Sequence, residues 1–204
     1  MPTALYPALN RRNMGTAQLH LRDQCKVMEK LVDSHSKCTL ANQPFEPFQT
    51  LATAIIGQQL SLKAANAIKN RVLLLAPNLT AEEMLATKMD DLRSAGLSGA
   101  KSNYLLGLAT AVAEGQINFS AMRKYSDEEV IQQLIALNGI GRWTAEMFLI
   151  FGLKRPDVLS LGDAGLQRAV RVLFGEKVTL AKVSKKWKPY CSVASWYLWK
   201  HLDG

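Results

Sequence analysis

Asp163 is the residue of this sequence best placed to do chemistry. It lies in the stretch SLGDAGLQRAVRVLF, where a loop-like run gives way to a helical pattern, so it is predicted to cap the N-terminus of that helix. Helix-end amides and the helix dipole both favour the charged form of a carboxylate at this position. A fixed carboxylate can stabilise a neighbouring positive charge or activate water, although most aspartates at such positions serve only as caps.

Two glycines, Gly139 and Gly141, separate two apolar helical patterns in the stretch LNGIGRWTAEMFLIF. Glycine reaches positive φ without steric cost, so the pair predicts a very short connection between two helices. Such a turn lets a foreign backbone approach closely. Its amides, together with the N-terminus of the next helix, form a site for a phosphate, to which Arg142 adds positive charge. An ordinary helical hairpin is the alternative that the glycines alone favour.

The elements that must position these residues are predicted to be helices. The helix before the glycines opens with a capping box of Ser126 and Glu129. It is expected to turn four side chains inward: Val130, Ile131, Leu134 and Ile135. The helix after them begins near Arg142 and is expected to pack three: Trp143, Met147 and Ile150.

Helix signals recur along the rest of the chain. Five apolar residues have helical spacing, which predicts an earlier helix: Phe45, Phe48, Leu51, Ala52 and Ile55. Thr80 and Glu83 fit a second capping box, and further cap residues fit helix ends: Ser61 and the glycines Gly96 and Gly115. No segment alternates as a strand does, so the predicted fold is all-α.

Composition limits the class of protein. The 204 residues are 48% hydrophobic, which is enough for a core, and the net charge of +8 attracts polyanions such as nucleic acid or an acidic membrane. Cys25, Cys38 and Cys191 are widely spaced without a CxxC pair, so no iron–sulfur cluster or zinc site is expected from them. No signal peptide or membrane-spanning run is recognisable. We therefore expect an intracellular protein, in the bacterial cytoplasm (nucleoid) or in a nucleus.

Several stretches resemble one family. LNGIGRWTAEMFLIFGLKRPDV followed by LGDAGLQR resembles the helix-hairpin-helix-GPD (HhH-GPD) superfamily of base-excision DNA glycosylases. PFEPFQTLATAIIGQQLSLKAANAI, LRSAGLSGAKSNYLLGLA and SVASWYLWK resemble the branch of 3-methyladenine DNA glycosylase II and its short relatives. The similarity runs from about Pro44 to Lys200. Because the chain begins close to the first of these blocks, the minimal form without an additional N-terminal β domain is expected.

The resemblance implies an activity and its site residues. The reaction would be hydrolysis of the N-glycosidic bond of alkylated purines, 3-methyladenine and 7-methylguanine, in double-stranded DNA. Asp163 would be the catalytic carboxylate beside C1′ of the sugar. The base pocket would include Trp143, Phe45 and Met147, with the Trp143 ring stacked on the cationic base. Trp143 also occupies the position of the lysine in members that cut the strand, so a monofunctional enzyme without lyase activity is expected.

The resemblance further implies how DNA is held. The hairpin residues Gly139, Gly141 and Arg142 would contact a phosphate. A second loop would enter the duplex where the flipped base has left, and its residues are Gln58, Gln59, Leu60 and Ser61. Gln59 is the first choice for the wedge and Leu60 the second. An ordinary polar loop is the alternative for the two glutamines, and a core position is the alternative for Leu60.

A bound cation and the overall architecture are also implied. Main-chain carbonyls of Ile135, Leu137 and Ile140 could hold Na⁺ or K⁺ at the hairpin, and no other cofactor is required. The HhH-GPD fold has two helical subdomains with the active-site cleft between them. Residues 44–152 would form the central subdomain, which ends in the helix-hairpin-helix, and residues 1–43 with 153–204 would form the second. A monomer is expected, with alkylated double-stranded DNA as partner and no membrane.

Two other functions stay open. One is a glycosylase of the same superfamily for another damaged base, such as 8-oxoguanine, uracil or a deaminated purine. The other is a non-enzymatic helix-hairpin-helix module that only binds DNA. Asp163 and the GQQLS stretch argue against the second function, because binding alone requires neither. The choice of lesion depends on the shape of the pocket.

Overall fold

The computed structural model describes residues 7–42 and 44–203, and within them it shows helices and no strand. The predicted all-α fold is confirmed. The helices in the described residues are α1 Met14–Gln24, α2 Lys26–Ser34, α3 Pro47–Gly57, α4 Leu62–Leu75, α5 Ala81–Ala86, α6 Met89–Ser94, α7 Gly99–Ala113, α8 Phe119–Met122, α9 Asp127–Ile135, α10 Arg142–Met147, α11 Ala164–Phe174, α12 Leu180–Val183 and α13 Cys191–Asp203. A π-helical segment, Phe148–Gly152, follows α10, and a 3₁₀ turn, Ser184–Lys186, follows α12.

The described chain divides into two compact units. The central unit is residues 46–148, and the terminal unit is formed by the residues before 46 together with those after 148. The sequence predicted 44–152 for the central part. None of the helices in the described residues is long and apolar enough to cross a membrane.

The core of the central unit forms where α3 and α5 pack against α7. Helix α3 buries Leu51 and Ile55, which the predicted stripe included, and α7 buries Leu105 and Leu108, three positions apart on one helix face. Helix α9 packs against α10, so the two helices flanking the glycines lie side by side. This packing fixes the connection between them, residues 136–141, which we call the hairpin.

The core of the terminal unit forms around α13, which packs against α2 and α11. Trp187 and Tyr197 are fully buried there. The phenolic oxygen of Tyr197 accepts a hydrogen bond from Gln18 Nε2 of α1, so its polar atom is satisfied inside the core. This packing holds the N-terminus of α11, where Asp163 stands, against α13.

Most predicted helix caps are present. Ser126 and Glu129 form the reciprocal capping box at α9, and the Ser61 hydroxyl accepts a hydrogen bond from Ala64 N at α4. At α5 the Thr80 hydroxyl accepts from Glu83 N, while the Glu83 carboxylate accepts from Asn78 N and Nδ2. Glycines just beyond two helix ends take the positive φ expected there, 102° at Gly96 and 73° at Gly115.

Four details of the sequence-based prediction are wrong. Ile135 is 37% exposed because it is the last residue of α9 and no further turn covers it. Trp143 is 44% exposed, because α10 buries the residues that follow it rather than Trp143 itself. Phe45 precedes α3 and is 39% exposed. Gly141 has φ −88° and ψ 171°, an extended conformation that any residue adopts, so only Gly139 uses the freedom of glycine.

Candidate active site and DNA-contact surface

The side chain of Asp163 caps the N-terminus of α11, as the sequence predicted, and the structure shows that it is buried. It is 7% exposed, and its Oδ1 accepts a hydrogen bond from Leu166 N at 2.7 Å. The same oxygen accepts a second hydrogen bond from Trp199 Nε1 at 3.1 Å. A backbone amide and an indole N–H therefore converge on one carboxylate oxygen. This pair of donors fixes the orientation of the carboxylate.

The indole of Trp199 is itself held in place. Its ring stacks on Phe151 with centroids 5.9 Å apart and an interplanar angle of 29°. Gly165 leaves room for this arrangement: a Cβ there would lie 3.1 Å from Asp163 Oδ1 and 3.5 Å from Trp199 Cδ1. The carboxylate is therefore part of a packed cluster in the terminal unit, Asp163, Gly165, Trp199 and Phe151, which we call the carboxylate cluster.

The sequence did not predict a role for Trp199. The stretch SVASWYLWK indicated an apolar helix, and aromatic residues on such a helix usually belong to the core. The bond to Asp163 joins residues 36 positions apart, so it depends on the packing of α11 against α13. No local pattern could have revealed it.

The carboxylate cluster is suited to electrostatic catalysis. A charge that is already oriented does not have to reorganise when a positive charge develops beside it, so it stabilises a transition state more than a mobile side chain would. Burial strengthens this effect, because less water screens the charge.

The hairpin of the central unit depends on Gly139. Its φ is 84°, and a Cβ at this position would lie 2.1 Å from Cγ of Tyr104. Tyr104 belongs to α7, so the hairpin backbone packs directly on a ring from another helix. Glycine is required for two reasons here, the left-handed backbone and the close approach.

A second loop, residues 58–61, is joined to the hairpin by the side chain of Gln58. Its Nε2 donates to Gly139 O at 2.8 Å and to Thr144 Oγ1 at 3.3 Å. Gln59 and Leu60 follow, both exposed, and Ser61 caps α4. The loop 58–61 and the hairpin together form what we call the loop–hairpin surface.

A groove of about 530 Å³ opens on the loop–hairpin surface. Its lining includes Gln58, Gln59, Lys101 and Tyr104, together with hairpin residues 137–141. All of these residues belong to the central unit.

Arg142, the first residue of α10, is engaged in ion pairs. Its Nη2 lies 2.8 Å from Glu128 Oε2, and its Nε lies 3.2 Å from Glu146 Oε1. The hydrogen bond from Arg142, with a second from Gln132, lowers the pKa of Glu128. Arg142 and Glu128 are both more than half exposed, so this pair contributes little stability and can exchange for another anion.

Of the predicted cation ligands, Leu137 and Ile140 lie in the hairpin and Ile135 is the last residue of α9. The Leu137 carbonyl accepts a hydrogen bond from Ile140 N at 3.2 Å, and Ile135 and Ile140 lie on either side of it in the sequence. Within residues 7–42 and 44–203, no group of three or more His, Cys, Asp or Glu residues could hold a metal ion. A cation held by main-chain carbonyls stays a prediction.

Comparison with known proteins gives consistent matches over most of the chain. DNA-3-methyladenine glycosylase 1 of Schizosaccharomyces pombe is 35% identical over 200 residues, which cover 92% of this chain and 87% of that protein. The solved structure of the S. pombe 3-methyladenine DNA glycosylase Mag1 in complex with abasic DNA has a TM-score of 0.78 and 31% identity, covering 93% of this chain and 97% of that chain.

A bacterial structure gives a similar result. DNA-3-methyladenine glycosidase from Bacillus halodurans matches with a TM-score of 0.75 and 37% identity, over 90% of this chain and 88% of that one. The family model described as HhH-GPD superfamily base excision DNA repair protein matches residues 52–190. This range includes the loop 58–61, the hairpin and Asp163. The chain therefore belongs to the HhH-GPD superfamily of base excision DNA repair proteins.

Proposed function

We propose that this protein is a DNA glycosylase that releases alkylated purines, 3-methyladenine and 7-methylguanine, from double-stranded DNA. The observation that carries the proposal is the Asp163 carboxylate, buried and bonded by Leu166 N and Trp199 Nε1. Simple helix capping needs the first of these bonds and not the second. The names of the relatives that match almost the whole chain support this substrate class.

The reaction requires the protein to stabilise the positive charge that develops on the sugar. As the bond between C1′ and the base nitrogen breaks, its electron pair leaves with the base and positive charge develops on the sugar. Asp163 stabilises that charge and orients the water that attacks C1′, and its carboxylate accepts the proton that this water loses as the new C–O bond forms. A cationic methylpurine departs as a neutral base, so its release needs no proton donor. We therefore expect faster release of 3-methyladenine and 7-methylguanine than of neutral lesions such as hypoxanthine or ethenoadenine.

Aromatic side chains would hold the flipped base. Trp143 is 44% exposed and Phe45 is 39% exposed, so both present ring surface. Stacking of a cationic base on the Trp143 ring contributes roughly 0.5–2 kcal/mol. Met147 is 7% exposed and offers less surface to a ligand. Trp143 cannot form a Schiff base with the sugar, so the reaction ends with base release and leaves the strand intact.

DNA would be held by the loop–hairpin surface. The main chain at Gly139 and Gly141, with Arg142, would contact a phosphate, and Na⁺ or K⁺ on the carbonyls of Ile135, Leu137 and Ile140 would bridge to it. Gln59, next to Leu60, would fill the gap left by the flipped base. These contacts require one copy of the chain, so we propose that the protein acts as a monomer.

Release of free base from methylated duplex DNA tests the proposal. Wild-type protein should release methylpurines under single-turnover conditions. Asp163→Asn should lower the rate by a factor on the order of 10²–10³ or more, because it removes the charge while leaving an oxygen to accept from Leu166 N. Binding to abasic duplex should persist. Asp90→Asn, an exposed change in the central unit, is the control.

The outcomes separate the remaining functions. No base release by wild-type protein on any damaged duplex would indicate a DNA-binding module without activity. Faster release of a neutral lesion than of either methylpurine would indicate another substrate and a proton donor. A covalent protein–DNA adduct trapped by borohydride would overturn the expectation of a monofunctional enzyme.

A further inference from the structure

Lys101 of α7 bonds to the backbone that precedes the tip of the loop 58–61. Its ammonium donates to Ile56 O at 2.8 Å and to Gln58 O at 2.6 Å. The side chain is only part-exposed, and this burial lowers the pKa of its amine. A long cationic side chain ordinarily extends into water, so its use on two main-chain carbonyls requires an explanation.

The two carbonyls belong to the C-terminal end of α3, where helix carbonyls have no partner in the next turn. Ile55 O accepts from Gln58 N, and Gly57 O accepts from Leu60 N. Lys101 takes the remaining two, so every carbonyl from residue 55 to residue 58 has a donor. A cation at the C-terminal end of a helix is also favoured by the helix dipole.

Gln59 is held in an uncommon backbone conformation by these contacts. Its φ is 57°, in the left-handed region that is unfavourable for a residue with a side chain. Gln58, just before it, is anchored by its carbonyl to Lys101 and by its side chain to Gly139 O. The direction in which Gln59 leaves the protein surface is therefore set by the bonds to Gln58.

We propose that Lys101 is a positioning residue for base flipping, which holds the loop 58–61 so that Gln59 enters the duplex in the place of the flipped base. The inference rests on the proposed function, and on Gln59 as the wedge. Lys101 acts through Gln59 and makes no contact with the reacting sugar. A direct bond from Lys101 to a DNA phosphate is the competing role, and the experiment separates the two.

The experiment compares four variants on two substrates. The variants are Lys101→Met, Lys101→Arg, Gln59→Ala and the double variant of Lys101→Met with Gln59→Ala. The substrates are duplexes with 7-methylguanine opposite cytosine or opposite an abasic-site analogue, where flipping needs less energy and a wedge matters less. Lys88→Met removes an exposed lysine of the central unit as the control.

Lys101→Met should lower the single-turnover rate opposite cytosine by about tenfold, which corresponds to loss of a charge-assisted hydrogen bond. Opposite the abasic-site analogue the loss should be within about twofold. Lys101→Arg, which keeps a cation with several donors, should recover part of the rate. The double variant should be no more than about twofold slower than Gln59→Ala alone, because the two residues act on one step.

Different failures point to different errors. If Gln59→Ala excises like wild type on both duplexes, the wedge of the proposed function is wrong, and the inference fails with it. Two results with a slow Gln59→Ala variant would overturn only the inference about Lys101. One is a normal excision rate in Lys101→Met. The other is a double variant in which the losses of rate from the two single changes multiply in full. Lys101→Met could instead bind undamaged duplex more weakly, with a slope of log binding constant against log salt concentration that is smaller in magnitude by about one. That result would show that Lys101 contacts a phosphate and would overturn the inference. If Lys101→Met does not fold, Lys101→Gln, which keeps an uncharged NH₂ donor group, replaces it under the same criteria.

Discussion

The two units hold their functional groups in opposite ways. In the terminal unit a side chain does the work: Asp163 is 7% exposed, and a backbone amide and an indole fix it. In the central unit the main chain of the hairpin and the loop 58–61 forms the surface. Side chains hold this main chain in place through hydrogen bonds such as the one that Gln58 Nε2 donates to Gly139 O. Catalysis of bond cleavage needs one oriented charge, whereas binding of a DNA backbone needs an open array of main-chain groups.

This difference predicts two kinds of sensitivity to mutation. In the carboxylate cluster, a change that keeps the packing should lower the rate of base release and leave the fold intact. At the loop–hairpin surface, a change that adds volume should disturb the fold and DNA binding together, because no spare space separates the backbone from its support.

Gly139→Ala should have the largest effect on stability. The new Cβ would lie 2.1 Å from Tyr104 Cγ at a backbone φ of 84°, so the hairpin must move. We expect the free energy of unfolding to fall by about 3 kcal/mol, from left-handed strain and overpacking together, and affinity for duplex DNA to fall at least tenfold. Urea unfolding and DNA titration measure the two effects.

Gly141→Ala is the matched control for that change. Gly141 has φ −88°, and no atom lies within 4 Å of a Cβ built there. Its free energy of unfolding should change by less than about 1 kcal/mol, the range of N-cap substitutions. Equal stability of Gly139→Ala and Gly141→Ala would show that close packing on Tyr104 does not hold the hairpin.

Trp199→Phe should lower the rate of base release about tenfold while nearly preserving stability. Phenylalanine keeps an aromatic ring against Phe151 and loses the N–H that donates to Asp163 Oδ1. A hydrogen bond to a charged group is worth about 1.5–3 kcal/mol. Single-turnover excision and thermal unfolding give the two readings.

Trp196→Phe, on the same helix, is the comparison for Trp199→Phe. Its ring packs edge-on against Tyr197 with centroids 5.0 Å apart. If both variants release base at the wild-type rate, the indole does not orient the carboxylate. If both are equally slow, the effect belongs to the packing of α13.

Sequence patterns predicted those features that depend on neighbouring residues. The N-cap position of Asp163, the capping box of Ser126 with Glu129, and the left-handed Gly139 each involve only a few consecutive residues. The burial of Trp143 was predicted wrongly, because the apolar spacing of α10 did not show which face of the helix is covered. The structure buries Thr144 and Ala145, which follow Trp143 in the sequence, and leaves Trp143 exposed.

The supporting residues were beyond the reach of such patterns. Lys101 bonds to carbonyls 43 and 45 positions away, and Trp199 bonds to a carboxylate 36 positions away. Tyr104 supports Gly139 from a different helix. Each of these contacts is created by helix packing. A single sequence therefore identifies a candidate functional residue more readily than the distant residue that holds it in place.

Glu128→Gln should strengthen the binding of undamaged duplex about threefold. Glu128 pairs with Arg142 at 2.8 Å, so its neutralisation leaves Arg142 with Glu146 and a greater share of its charge for a phosphate. Exposed ion pairs are worth about 0.2–1 kcal/mol, which limits the gain. Glu82→Gln removes one exposed negative charge from α5 and serves as the control. The same gain in both variants would assign the effect to net charge rather than to Arg142.

The smallest predicted effect is a dependence of the stability of the terminal unit on pH. It involves residues to which no DNA contact is assigned. The rings of His35 and His201 lie edge to face with centroids 5.7 Å apart. Burial, and then the positive charges of His201 and Lys200, lower the pKa of His35 from its usual 6.5. As pH falls below 6.5, the unfolded chain takes up this proton before the folded protein does, so the free energy of unfolding decreases until the folded form is protonated as well.

Urea unfolding at about pH 7.5 and pH 5.5 measures this effect. His35→Gln should lose less stability between the two values than wild type does. Lys200→Met should lie between them, because it removes one of the charges that repel a proton from His35. An equal loss of stability in wild type and His35→Gln would mean that other groups cause the acid sensitivity of this unit. A larger loss in Lys200→Met than in wild type would contradict the assigned repulsion.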